Sequence, residues 1–183
     1  MKKTYISGQI TGIETEAPLL FEAAEKKLKK LGFEPINPIT INHDHHDKSW
    51  VNYMREDIKA LCDCDSIFML SNWTNSRGAI IENTLAEFMG LEVMYENGFD
   101  NWYKNHYTIE NSWYKKNKVD QLHHQDLIAF NECYSYLRDI VKQTCDDTLI
   151  KVPHNYQLFR DHSIKHYVAL VLGIEIIYTE PKF

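Results

Sequence analysis

Three short segments of the chain place reactive side chains where a ligand could reach them. Ser76-Arg77-Gly78-Ala79-Ile80-Ile81-Glu82 sets a serine, a close-approach glycine and a carboxylate at the entry turn of a helical pattern. The helix dipole there favours an ionised carboxylate, as a nucleophilic glutamate requires, while Ser76 and free N–H groups face an anion. The plain alternative is that Glu82 only complements the dipole. Ser7-Gly8-Gln9-Ile10-Thr11-Gly12 is a glycine-bounded turn. Its N–H groups could cradle a phosphate or sugar hydroxyls, or it is simply a turn. Asp57 adds a second carboxylate, and two carboxylates in different environments are the usual equipment for glycosidic cleavage. One attacks or stabilises the sugar cation while the other protonates or orients the leaving group. An acid at a helix margin also reads as solvated or salt-bridged, and Arg55 and Lys59 are close in sequence.

These residues need elements to position them. Lys3 to Ser7 is a β-type run stopped by Gly8, and a helix from about Ala17-Pro18 carries Leu20, Phe21, Ala24, Leu28 and Leu31 at helical spacing up to Gly32. Phe33 to Asn37 reads as a second strand, at an edge because Pro35 removes a donor. After the polar loop 38–49, Val51, Met54, Ile58 and Leu61 form the stripe of a second helix, with Asp57 at its margin. Ser66 to Leu70 is the continuous apolar run of a central parallel strand. Gly78 opens a third helix with Ile81, Leu85 and Phe88 on its buried side, and Leu91 to Tyr95 supplies a fourth strand. Alternation of strand and helix predicts an α/β, doubly wound parallel sheet of four to five strands, flavodoxin- or Rossmann-like, with ligand loops at the carboxyl ends of its strands.

Composition narrows the functional classes. The chain has 183 residues, 44% apolar and 25% charged, as in an ordinary globular protein able to bury its own core. Its net charge is −6; residues 1–100 carry 10 basic and 16 acidic side chains, and residues 101–183 carry 10 of each. Neither half has a basic stripe, so nucleic acid is not an expected partner. No apolar run is long enough for a transmembrane helix, and Met1-Lys2-Lys3 leads into a strand rather than a signal-peptide core, so a cytoplasmic location with no membrane partner is expected. Cys62, Cys64, Cys133 and Cys145 lack zinc-type spacing and read as reduced thiols. His43-Asp44-His45-His46-Asp47 is dense in metal-ligating types but has no second ligand group at a convincing spacing, so no metal is expected. Trp50 and Trp73 flank the site loops, to stack on a base or to pack in the core.

The second part, residues 98–183, is expected to be a mainly helical extension to a domain of residues 1–97. It opens with Trp102, Tyr103, Tyr107, Trp113 and Tyr114, a surface lid or an interface by composition. Leu127, Phe130, Tyr134, Leu137 and Val141 mark an amphipathic helix, and a polar link runs from Asp146 through Pro153. Asp161 to Leu172 is another helix pattern, and Ile174 to Tyr178 a final β run that is a candidate fifth strand. Ala169 to Tyr178 echoes Ala86 to Tyr95 in its Ala, Gly, Glu and Tyr, an echo that a shared helix-turn-strand grammar would also produce.

Tyr5-Ile6-Ser7-Gly8-Gln9-Ile10-Thr11-Gly12, Arg55-Glu56-Asp57-Ile58 with Cys64-Asp65-Ser66-Ile67, and Ser76-x-Gly78-x-x-x-Glu82 occur in an order and spacing that resemble the nucleoside 2-deoxyribosyltransferases and the related nucleoside 5′-monophosphate N-glycosidases. Asn37-Pro38 and Trp50-Val51-Asn52-Tyr53-Met54-Arg55-Glu56-Asp57 further resemble an uncharacterised phage and bacterial subgroup of that superfamily. The resemblance spans roughly residues 3–95. It implies Glu82 as nucleophile through a covalent glycosyl-glutamate intermediate, Asp57 handling the base and Tyr5 positioning Glu82. It implies substrate contacts from Ser7, Gly8, Gln9, Ile10, Gly12, Asn37, Trp50, Ser76, Arg77 and Gly78, with no cofactor and a homodimer or higher homo-oligomer. Gln9 and Thr11 stand where the monophosphate hydrolases are expected to have serine and arginine, a departure that Arg77 could offset. The expectation is cleavage of the N-glycosidic bond of a (deoxy)nucleoside or its 5′-monophosphate, by hydrolysis or deoxyribosyl transfer. The alternative is a catalytically silent nucleotide-binding sensor.

Overall fold

A computed structural model describes residues 1–41, 49–98, 135–154 and 160–180. Strand β1 (Lys3–Ser7) leads through a loop to helix α1 (Ala17–Lys30), strand β2 (Glu34–Ile36) and a 3-10 turn, Pro38–Thr40. Helix α2 (Trp50–Cys62), strand β3 (Ser66–Met69), a second 3-10 turn at Trp73–Asn75, helix α3 (Arg77–Phe88) and strand β4 (Glu92–Tyr95) complete the first part. The four strands form one parallel sheet in the order β2-β1-β3-β4. This is the α/β doubly wound arrangement, with β2 at the edge as Pro35 demands.

Period-two alternation sends the two faces of the sheet into different cores. Ile6, Phe68, Leu70 and Met94 pack with Phe21, Ala24 and Leu28 of α1. Tyr5, Ile67 and Met69 pack on the other face with Met54, Ile58 and Leu61 of α2 and Leu85 of α3. The register pairs Tyr5 with both Ile36 and Ile67, and Ser7 with Met69, so β1 and β3 end side by side. Chain connections diverge between these two strands, from β1 outward to β2 and then back across to β3. A crevice opens where they diverge.

Two expectations for the second part are corrected. The final run, β6 (Glu175–Thr179), does not extend the four-stranded sheet; it pairs in parallel with β5 (Leu149–Pro153) in a separate two-stranded sheet. That partner lies where a polar link was expected. Asp146, Asp147, Thr148 and Lys151 hide the alternation, yet Ile150 and Val152 are buried at a period of two. Helix α4 includes residues 135–146, and α5 (Arg160–Leu172) joins β5 to β6. Leu137, Ile140, Val141, Ile164 and Val168 share one core with α2 and α3, so the second part covers their outer face. The loop His43–Asp47, the aromatic stretch from Trp102 to Tyr114, and Leu127, Phe130 and Tyr134 lie outside the described residues.

Candidate active site

Glu82 is the sixth residue of α3, one turn beyond the entry where a dipole would hold it ionised, and no acid occupies that first turn. The expectation that the helix start sets its charge is therefore corrected. Two hydroxyls from β1 favour its anion instead: Tyr5 Oη donates to Oε1 at 2.9 Å and Ser7 Oγ donates to Oε2 at 2.5 Å. Strand alternation puts positions 5 and 7 on the same face, opposite α3. Burial raises the Glu82 pKa, and the two O–H donors oppose that rise.

Asp57 faces the same point from α2. Burial, and then the charge of Glu82, push its pKa from 3.8 up to about 8, while a hydrogen bond with Tyr5 pulls the other way. Asp57 therefore keeps its proton near neutral pH, while the hydroxyls of Tyr5 and Ser7 favour the anion at Glu82. The two cations beside Asp57 in sequence reach toward the second part of the chain. Arg55 Nη1 donates to the carbonyl of Cys145, and Lys59 lies 2.6 Å from Asp146 and 3.4 Å from Glu56. The Tyr5 phenol, between two acids and wholly buried, has its pKa raised well above 10, first by burial and then by Asp57 and Glu82. It remains a donor.

Both acids line a cavity of about 660 Å³ at the carboxyl ends of β1 and β3, a volume typical of small-molecule sites. Tyr5, Gly8, Ile10, Trp50, Ser76, Arg77 and Gly78 line it as well. Other expected ligand residues do different work. Ser7 is buried behind Glu82. Gln9 donates its backbone N–H to Asn72 and its side-chain amide to the Thr11 carbonyl, and Gly12 donates its N–H to Glu14. Asn37 caps the 3-10 turn by accepting from Ile39 N and donates to Glu25. None of Ser7, Gln9, Gly12 or Asn37 is among the residues lining the cavity.

The glycines owe their identity to close packing. A Cβ on Gly8 would lie 2.7 Å from Leu70 Cδ1, because β1 and β3 leave the sheet together, and one on Gly78 would lie 3.2 Å from Met54 Sδ. Ser76 is the N-cap of α3, its Oγ accepting from Ala79 N at 3.2 Å, which leaves the hydroxyl proton for a ligand. Arg77 lays its guanidinium over the Trp50 ring, 4.5 Å from the centroid. This puts a cation on an aromatic shelf at the cavity wall. Glu14 lines the cavity from the first loop, its carboxyl held below the usual range by the Gly12 N–H, so the wall carries both signs.

Tyr53, Glu14 and Asn75 line the cavity without having been singled out from sequence. Trp50, Tyr53, Met54 and Asp57 follow the i, i+3, i+4, i+7 spacing of one helix face, a signal that marks Tyr53. Glu14 and Asn75 sit in irregular backbone and carry no comparable signal. Trp73 does not line the cavity; its ring lies 5.8 Å from that of Tyr95. Cys62, Cys64 and Cys145 are free and buried, and burial pushes the thiols of Cys64 and Cys145 up to about 12, so they are poor nucleophiles. Among the described residues no group of three or more His, Cys, Asp or Glu could hold a metal ion, and no helix is long and apolar enough to cross a membrane.

Residues 2–95, which carry every element of this cavity, match the family described as Domain of unknown function (DUF4406). No curated protein and no solved structure matches the chain.

Proposed function

The chain belongs to the DUF4406 family, and from the chemistry of its cavity we propose that it breaks the N-glycosidic bond of a nucleoside or nucleoside 5′-monophosphate. The observation that carries this reading is the buried Glu82–Tyr5–Asp57 triad, two carboxyls joined through one phenol at the cavity wall. The ionised Glu82 attacks the anomeric carbon, where positive charge builds as the bond to the base lengthens. Asp57, protonated near neutral pH, gives its proton to the departing base nitrogen. The products are a free base, an ionised Asp57 and a glycosyl ester on Glu82. Water, or the nitrogen of a second base, then attacks the ester as Asp57 takes the proton back, which gives hydrolysis or deoxyribosyl transfer respectively.

Tyr5 and Ser7 aim Glu82 and favour its anion; Tyr5 also spans the two acids. Trp50 and Tyr53 offer aromatic surface for the base. Ser76 and Arg77 at the start of α3 suit a 5′-phosphate or a ribose hydroxyl. No cofactor enters the scheme.

The test is a panel of nucleosides and their monophosphates incubated with the full chain, with free base measured by chromatography. Base release by the native chain and not by Glu82→Gln supports the proposal. Saturable binding of the same compounds with no base released would replace it with the sensor reading.

A further inference from the structure

We infer that residues 53–95 and 136–178 are two copies of one structural unit, and that the second has lost both carboxylates and fills, within the same chain, the face on which two site-bearing chains would pair. This stands on sequence and geometry, independently of the activity proposed above.

A constant shift of 83 positions, with no gap, superimposes one segment on the other and leaves 13 of 43 residues identical. Tyr53, Arg55, Lys59, Cys62 and Asp63 recur as Tyr136, Arg138, Lys142, Cys145 and Asp146; Ala86, Gly90, Glu92 and Tyr95 recur as Ala169, Gly173, Glu175 and Tyr178. Among the described residues the backbone obeys the same shift. Ser66 pairs with Glu92 as Leu149 pairs with Glu175, and Met69 with Tyr95 as Val152 with Tyr178. Gly90 and Gly173 end their helices at φ 65 and 67. Leu91 N donates to Ala86 O and Ile174 N to Ala169 O, each at 2.9 Å. Cys64 N donates to Leu61 O at 3.1 Å and Asp147 N to Thr144 O at 3.2 Å.

A shared helix-turn-strand grammar explains a glycine at each helix end. It does not explain a side-chain pair in the same register: Tyr95 Oη bonds Asn83 Oδ1, and Tyr178 Oη bonds His166 Nε2, again 83 residues on. Nor does it explain the Lys-x-x-Cys-Asp that ends the preceding helix in both segments. Duplication explains both.

The two copies meet reciprocally. Lys59 of the first contacts Asp146 of the second at 2.6 Å, and Lys142 of the second contacts Asp63 of the first at 2.7 Å, which are the same two positions exchanged. Ile58 and Val141, Met54 and Leu137, and Cys62 and Cys145 occupy one common core. Contacts of i with j and of j with i are the mark of a two-fold, isologous interface, here built within one chain. Asp57 becomes Ile140 and Glu82 becomes Lys165 in the second copy. It keeps the packing surface and drops the acids, so its role is to brace α2 and α3 from outside. Self-association expected of the aromatic second part falls to surfaces other than this one.

Zero-length carbodiimide cross-linking of the full chain tests the inference, using an equal mixture of unlabelled and 15N-labelled protein read by mass spectrometry. Such a reagent joins only lysines and carboxylates in direct contact. The expected products are Lys59–Asp146 and Lys142–Asp63, both with the two peptides carrying the same isotope. Lys2–Glu92, a 2.9 Å pair within the first part, serves as the positive control. Mixed-isotope products would overturn docking within one chain. Loss of either link while the control forms would overturn the two-fold, and Lys59→Gln should remove the first link and leave the second.

Discussion

Replacing Asp57 by Asn should stabilise the protein, and should do so in a way that depends on pH. The folded chain holds the Asp57 proton up to about pH 8, whereas the same carboxyl titrates near its ordinary 3.8 once burial is removed. Between those values the folded state binds more protons than the unfolded one. Stability therefore falls as pH rises through this window, and the loss is complete once the folded group also ionises. At ~1.4 kcal/mol per unit, a window reaching from 3.8 to pH 7 sets an upper bound of ~4 kcal/mol on the penalty at neutral pH. Asn has no such proton to hold and nearly the same volume, so it escapes the penalty. A recovered ~2–4 kcal/mol corresponds to a melting-temperature gain of ~5–15 °C for a chain of this size. Thermal melts of both proteins from pH 4 to 9 are the assay: the curves should coincide near pH 4 and separate progressively above pH 5. A constant offset, or no separation by pH 8, would refute the claim that the cavity forces a proton onto Asp57.

Glu82→Gln should retain ligand while losing turnover by at least ~10³-fold, since it keeps shape and polarity without nucleophilicity; near-normal base release would return Glu82 to a structural role. Ser7→Ala removes a donor that favours the Glu82 anion, so the acidic limb of the pH–rate profile should move to higher pH, and an unmoved limb would remove Ser7 from that part. Ser76→Ala should lower stability by ~1 kcal/mol through loss of the cap on α3 whatever the substrate. It should also raise KM selectively for monophosphates over nucleosides, and equal effects on both would place the phosphate elsewhere. Gly8→Ala forces a methyl against Leu70 and should cost ~1–3 kcal/mol in a denaturant melt, with no loss counting against close packing of the two strand ends.

Much of the sheet and both acids could be read from residue order because local signals agreed with the tertiary answer. Ile67 to Met69 is apolar on both sides and belongs to an interior strand buried throughout, and Pro35 forecasts an edge. Charge state was less legible. The ionisation of Glu82 depends on Tyr5 and Ser7, more than 70 residues away, and on burial, neither of which the local helix pattern records. The glycine loop was legible as a turn and misleading as a cradle, because Gln9 and Gly12 are spent on Asn72, Thr11 and Glu14. Strand β5 escaped notice because only Ile150 and Val152 face a core, and five residues with two buried positions look like a polar linker until β6 is placed beside them.

The second copy serves as an internal control for the first. Two neighbouring buried carboxyls are a liability to folding, since each must be desolvated beside the other. Where the same unit is used as a brace, the position of Asp57 is filled by Ile140, buried in the common core, and the position of Glu82 by the half-buried Lys165. The Lys and Asp that make the reciprocal contacts survive in both copies, with the Cys that packs between them. Packing alone thus does not ask for acids at these two positions, and their retention in the copy that lines the cavity is the contrast expected of groups kept for chemistry at the expense of stability.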